Sequence, residues 1–175
     1  MKAVKRWIVE EPFTDNREEW SARLVKEINV TPSLAQLLVR RGITTFEDAK
    51  RFFRPVLPDL HDPFLMKDMA AAVRRLQEAV SGHEKILVYG DYDVDGSTAV
   101  AVFYDFFRKR HPEIDFYIPD RYTEGYGVSW QSIDWAEQNG ISLIITLDCG
   151  IKSVDKITEA VRRGIDVIVC DHHLP

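Results

Sequence analysis

The sequence predicts an α/β fold, a parallel, doubly wound (Rossmann-like) sheet preceded by a small helical region. Three observations predict it. From Lys85 onward, short continuous apolar runs alternate with amphipathic segments, the texture of parallel strands buried on both faces and joined by helices. From about Trp20 to Val80 the pattern is helical only. Finally, each apolar run gives way to acidic residues or histidines: Asp91 and Asp93, then Asp120, then Asp148, then Asp171, His172 and His173. The chain accordingly divides into a helical region, 1–82, and a sheet domain, 83–175.

In the first region Thr31 is the expected N-cap of a helix with Pro32 at its first position, Leu34, Leu37 and Leu38 on one face, and Gly42 at its end. Thr45 caps the next helix, with Asp48 placed close to a capping box, and Pro55 and Pro58 break it. MKDMAAAVRRLQEAVSG reads as a further amphipathic helix ending at Gly82. Helices joined by a Gly turn occur in helix-hairpin DNA-binding elements; a packing unit for the following domain is the simpler reading.

In the second region KILVYGD is a strand, and STAVAVFYDFFRKRH a helix with apolar Val100, Phe103, Phe106 and Phe107. DFYIPD is a strand, SWQSIDWAEQNG a helix capped by Ser129, SLIITLDCG a strand, SVDKITEAVRRG a helix, and IDVIVCD a strand. The β-α-β-α-β-α-β order implies right-handed crossovers.

Composition sets limits. With 45% hydrophobic residues in 175, the chain can build one well-packed domain and a small second unit. No apolar run approaches the ~20 residues of a membrane helix. MKAVKRWIVEEP has no apolar core or small-residue cleavage site, so it is not expected to act as a secretory signal. Two cysteines, Cys149 and Cys170, do not make a disulfide framework, so a reducing cytoplasm is the expected location. A net charge of −5 argues against a stand-alone grip on nucleic-acid phosphates, but not against an acidic metal site. The sequence ends at DHHLP directly after a strand, and a piece of a longer protein is expected.

Asp91, Asp93 and Asp95 stand at every second position where the first strand ends. Unpaired carboxylates so close together repel one another, and a divalent cation removes the conflict. In an open parallel sheet all carboxyl ends share one edge, where ligands bind beside the switch point, so the distant strand-end residues converge. Carboxylates and imidazoles without an obligatory thiolate suit manganese, magnesium or iron, and zinc less exclusively. A shared carboxylate bridging two ions is the arrangement of phosphoester hydrolysis. Gly96 and Ser97 open the following helix, whose amides are placed to meet a phosphate.

Other residues take structural readings. Asp95 caps the helix. Asp120 is a turn residue or the partner of Arg121. Cys149 and Cys170 are small buried hydrophobes, and His83 and His111 are surface residues at helix ends. His61 among prolines carries no signal.

GDYDVDG, LDCG and DHH resemble the first three motifs of the DHH phosphoesterase superfamily. VYGDYDVDGSTA, IPDRYTEGYGV, LLVRRGITTFEDAKRFF and LHDPFLMKDM resemble, more narrowly, its bacterial single-strand-specific 5′→3′ DNA exonucleases. The resemblance implies that Asp91 and Asp93 each ligate a metal, that Asp148 bridges two Mn2+ or Mg2+ ions, and that His172 is a ligand. It implies that His173 ligates or contacts the scissile phosphate and that Asp171 orients a histidine. Arg121 is assigned either to a substrate phosphate or to a pair with Asp120, and Ser97 to substrate binding. Leu87 stands where the family's pyrophosphatases begin the first motif with His, which fits the exonuclease branch. The family's fourth-motif aspartate and C-terminal substrate-binding domain are absent from the sequence, so the chain alone is expected to be inactive or very weak. The implied partners are single-stranded DNA, single-strand-binding protein and a helicase, with no membrane. The alternatives are a DHH phosphodiesterase for short oligonucleotides or cyclic dinucleotides, and a non-catalytic binding module; the intact ligands of all three motifs speak against the last.

Overall fold

The computed structural model describes Phe13 and residues 15–175; the segment MKAVKRWIVEEP lies outside them. The chain divides into two compact units, Met1–Asp62 and Pro63–Pro175.

In the first unit α1 (Asn16–Ile28), α2 (Pro32–Arg40) and α3 (Phe46–Phe53) are each N-capped by a side chain, from Asp15, Thr31 and Thr45. The caps expected at Thr31 and Thr45 are present, and the Thr45 hydroxyl also donates to Asp48 at 2.6 Å. Phe13, Leu24, Ala35, Leu38, Val39 and Ala49 form the core. The buried face of α2 therefore differs from the expected one, since Leu34 and Leu37 are exposed. Two stripes with i, i+3, i+4 spacing share Leu38, and the one containing the small Ala35 is the one that packs.

The second unit begins before residue 83. Helix α4 (Met69–Ser81) belongs with the sheet because Ala79, Leu76 and Val80 pack into one of its cores. The sheet strands are β1 (Ile86–Gly90), β2 (Ile114–Tyr117), β3 (Leu143–Leu147) and β4 (Asp166–Cys170), all parallel in the order β2-β1-β3-β4. Between them run α5 (Val94–Phe107), α6 (Trp130–Gln138) and α7 (Val154–Arg162). Alternate strand residues feed two cores, as the strand period requires. Ile86, Val88, Leu143 and Ile145 lie in the cluster that takes in α4 and α5, whereas Leu87, Tyr89 and Ile144 lie with residues of α6 and α7. The doubly wound α/β fold is thus as expected, and its switch point falls between β1 and β3.

Several local expectations are corrected. The helix expected from Ser97 starts at Val94, and Phe106 on it is 53% exposed. Strand β4 is half-buried, because an edge strand has a neighbour on one side only, and its last residue, Cys170, is exposed. Cys149 is buried as expected, and burial pushes its thiol up to about 12. His111 is not a surface residue: it is 1% exposed, and its Nε2–H donates to the Glu84 carbonyl at 2.7 Å.

Glu84 also anchors the amino-terminal edge of the sheet. It accepts hydrogen bonds from Arg75 at 2.6 Å and from the Ser142 hydroxyl at 2.8 Å, while Arg75 bonds Asp166 of β4 at 2.6 Å. The Arg75 bond, then the Ser142 bond, holds the Glu84 carboxyl below its ordinary value. A depressed folded-state pKa contributes stability above the unfolded value that is lost as pH falls through the folded one. Glu84→Gln is therefore expected to cost on the order of 1 kcal/mol at pH 7. In thermal unfolding the gap from wild type should narrow as the pH falls below about 4.3. A gap independent of pH would contradict it.

Candidate metal centre

Strand register builds the site. Gly90 pairs with Leu147, and Leu147 pairs with Cys170, so the residues that follow them, Asp91, Asp148 and Asp171, leave three adjacent strands side by side. Neighbouring strands lie about 4.8 Å apart. The amide of Asp148 donates to the Cys170 carbonyl at 2.9 Å, which carries the pairing one residue beyond the strand.

Asp91 is fixed by two glycines. A Cβ on Gly96 would stand 2.5 Å from the Asp91 nitrogen and oxygen, and one on Gly90 would stand 2.4 Å from the Val100 side chain. The start of α5 thus lies directly on the chain at Asp91, as only glycine permits. The residue is 1% exposed, and neither carboxylate oxygen has a hydrogen-bond partner of good geometry. Burial, foremost, pushes its carboxyl above the ordinary value; Asp93 and Asp148 add to that, and the amides of Tyr92 and Gly127 oppose it. An uncompensated buried carboxylate costs several kcal/mol. A cation is the partner that its two free oxygens fit.

Asp93, not Asp95, caps α5: its Oδ1 accepts from the Gly96 amide at 2.9 Å. The helix starts one residue after Asp93, so Asp95 falls inside the first turn. Ser97 is exposed, and its amide is already bonded to the Asp93 carbonyl at 3.0 Å, which leaves its hydroxyl for any ligand.

Asp148 takes a left-handed backbone, φ 61°, uncommon outside glycine, at the tight turn LDCG. Its Oδ1 meets the His172 Nε2 at 2.9 Å. Asp171 has a side chain only 2% exposed; it accepts from the amides of Ile151 and His173, both at 3.0 Å, and meets the His173 Nδ1 at 2.7 Å. Burial works against its charge, but the two amides and the His173 ring outweigh it and hold the carboxyl below the ordinary value. Ligand atoms of Asp148, His172 and His173 all lie within 4.8 Å of one another. Asp91 and Asp93 stand outside that close triad.

Asp120 is a turn residue, its Oδ1 accepting from the amides of Tyr122 and Thr123, both at 2.9 Å. Arg121 does not pair with it. Its guanidinium lies 5.2 Å from the centre of the Tyr92 ring, next to Asp91 in sequence, and it makes no ion pair among the described residues. Sequence reasoning missed Tyr92 and Tyr126, whose rings meet at 6.4 Å beside the site. The EGYG in which Tyr126 stands between two glycines was the available signal.

A sequence profile of the DHH family, N-terminal domain, matches residues 85–175. The chain is 42% identical over 170 residues to the single-stranded-DNA-specific exonuclease RecJ of Bacillus subtilis, covering 97% of this chain and 21% of that protein. To the enzyme of the same name from Escherichia coli it is 35% identical over 145 residues, covering 82% and 24%. The chain thus spans about a fifth of the length of these relatives. Among solved structures it is similar to exonuclease RecJ bound to manganese, with TM-score 0.58 and 34% identity over 63% of this chain and 28% of that one. RecJ of Thermus thermophilus in complex with Mn2+ aligns with TM-score 0.64 and 26% identity over 90% and 21%.

Asp91→Asn is expected to raise the Tm of the cation-free protein at pH 7, by about 2–4 °C for each kcal/mol of burial penalty removed. A lowered Tm would show that Asp91 already has a stabilising partner. The motifs at the ends of β1, β3 and β4 and the family match agree, and the chain belongs to the DHH family, whose N-terminal domain occupies its residues 85–175.

Proposed function

We propose that the protein containing this chain is a metal-dependent exodeoxyribonuclease that hydrolyses single-stranded DNA from the 5′ end to mononucleotides. One observation carries the hydrolytic reading: a buried aspartate with two unpartnered oxygens stands in a line of strand-end carboxylates facing two histidines. The names of the relatives, single-stranded-DNA-specific exonucleases, support the substrate, and the 5′ polarity rests on the motif resemblance.

Asp91, Asp93, Asp148 and His172 would hold two ions, Mn2+ or Mg2+, with Asp148 on the middle of the three adjacent strands. This oxygen-rich donor set with imidazole suits those metals. Bound there, they would lower the pKa of a water and neutralise charge on the phosphate oxygens. Asp93 caps with one oxygen and keeps the other free. Asp171 fixes the Nδ1–H tautomer of His173 and leaves its Nε2 for an ion or the scissile phosphate. Arg121, without an ion pair among the described residues, takes a substrate phosphate bidentately, and the Ser97 hydroxyl at the first turn of α5 contacts the same chain. Single-strand-binding protein and a helicase that supplies unwound DNA are the partners in recombination and repair, and the cytoplasm is the location. Among the described residues no helix is long and apolar enough to cross a membrane. The 175-residue chain alone turns over little or nothing.

His172→Ala is expected to weaken Mn2+ binding at least about tenfold in calorimetric titration; unchanged affinity would remove His172 from the ligand set. The activity is tested with the full-length protein, Mn2+ and single-stranded DNA labelled at either end, beside a dinucleotide. Immediate release of the 5′ label as mononucleotide is expected. Rapid dinucleotide cleavage with long DNA untouched would contradict the exonuclease reading in favour of a small-substrate phosphodiesterase.

A further inference from the structure

Tyr126 is half-exposed, 54%, and a surface tyrosine of that exposure usually needs no explanation. Its setting differs. The loop that carries it, between β2 and α6, is braced from both ends. Asp120 gathers the amides of Tyr122 and Thr123. The Glu124 carboxylate accepts from the Tyr117 hydroxyl at 2.9 Å, the Asp120 amide at 2.8 Å and the Ser129 hydroxyl. The Gly127 carbonyl accepts from the buried Tyr89 hydroxyl at 2.7 Å. Gly125 and Gly127, on either side of Tyr126, have φ of +81° and +77°, a backbone that side chains strain to adopt. A loop held this firmly presents its one central side chain in a fixed place.

That place lies against the metal centre. The Tyr126 ring meets the His173 ring edge-on, 6.1 Å between centres at 85°, and the Tyr92 ring edge-on at 6.4 Å and 84°. It therefore spans from the residue after Asp91 to the residue two after Asp171. His173 is restrained on three sides: Asp171 holds its Nδ1 at 2.7 Å, the His172 ring tilts against it at 4.5 Å, and Tyr126 closes the edge. The Tyr126 hydroxyl is 3.5 Å from the same Nδ1, too long for a good hydrogen bond to a nitrogen already committed to Asp171.

We propose that Tyr126 is a positioning residue whose ring holds the His173 imidazole in its working orientation, an inference that rests on the catalytic reading of the site. Losing such a support costs about 10–100-fold in activity. The test uses the full-length protein with Mn2+ and single-stranded DNA, comparing wild type, Tyr126→Phe and Tyr126→Ala. A second readout needs no activity: the rate at which diethyl pyrocarbonate modifies His173, followed by mass spectrometry with His172 of the same peptide as internal control. Tyr126→Ala is expected to speed His173 modification several-fold. It should also lower kcat about 10–100-fold with KM unchanged. Tyr126→Phe should match wild type in both.

An unchanged His173 rate in Tyr126→Ala would overturn the proposal, as would faster modification with kcat unaffected. Loss in Tyr126→Phe equal to that in Tyr126→Ala would also overturn it, by assigning the effect to the hydroxyl. If wild type degrades no DNA while its Mn2+ binding is intact, the exonuclease reading fails, and the modification rates alone decide whether Tyr126 restrains His173.

Discussion

The carboxylate of Asp91 sits at the centre of the structure's logic, buried at the end of β1 with no hydrogen-bond partner of good geometry for either oxygen among the described residues. Folding alone gains nothing from such a group. Two backbone-to-backbone contacts hold it there, because Gly90 and Gly96 have no side chains to keep α5 off the strand end. The helix that follows is capped by Asp93, so the same short stretch closes the sheet, starts the helix and leaves carboxylate oxygens unsatisfied. Stability is surrendered at one place, and the result is a carboxylate held dry and fixed, the condition that tight cation binding requires.

The sheet turns that local arrangement into a site. Parallel pairing in register places Asp91, Asp148 and Asp171 on neighbouring strands, and the reversal of strand order between β1 and β3 leaves the edge above them uncovered by a crossover. Each then takes a separate task through its surroundings. Asp91 has no donor of good geometry among the described residues; Asp148 meets His172 from a left-handed turn; Asp171 accepts two amides and holds His173. One residue type thus stands in three different environments.

Much of this was legible in the sequence, because continuous apolar runs mark buried parallel strands and the residues after them must share an edge. The positions of Asp91, Asp148, Asp171 and the histidine pair followed from that rule alone. The remainder depended on facts without a one-dimensional signature. Asp93 and Asp95 are equally good caps on paper, and the backbone path at Gly96 selects Asp93. Leu34 and Ala35 head competing apolar stripes on α2, and close packing selects the smaller residue. Cys170 is exposed because β4 is an edge, and His111 is buried with its ring N–H donating to the Glu84 carbonyl; both are tertiary facts. The boundary at residue 62 rather than 82 arises because α4 packs on the sheet.

The most direct measurement is anomalous diffraction from crystals of the full-length protein grown with Mn2+. The expected result is a manganese peak in contact with an Asp91 oxygen and shared with Asp148. Manganese held only by the exposed histidines, with both Asp91 oxygens still bare, would contradict the claim that this buried carboxylate is kept unpaired for a cation.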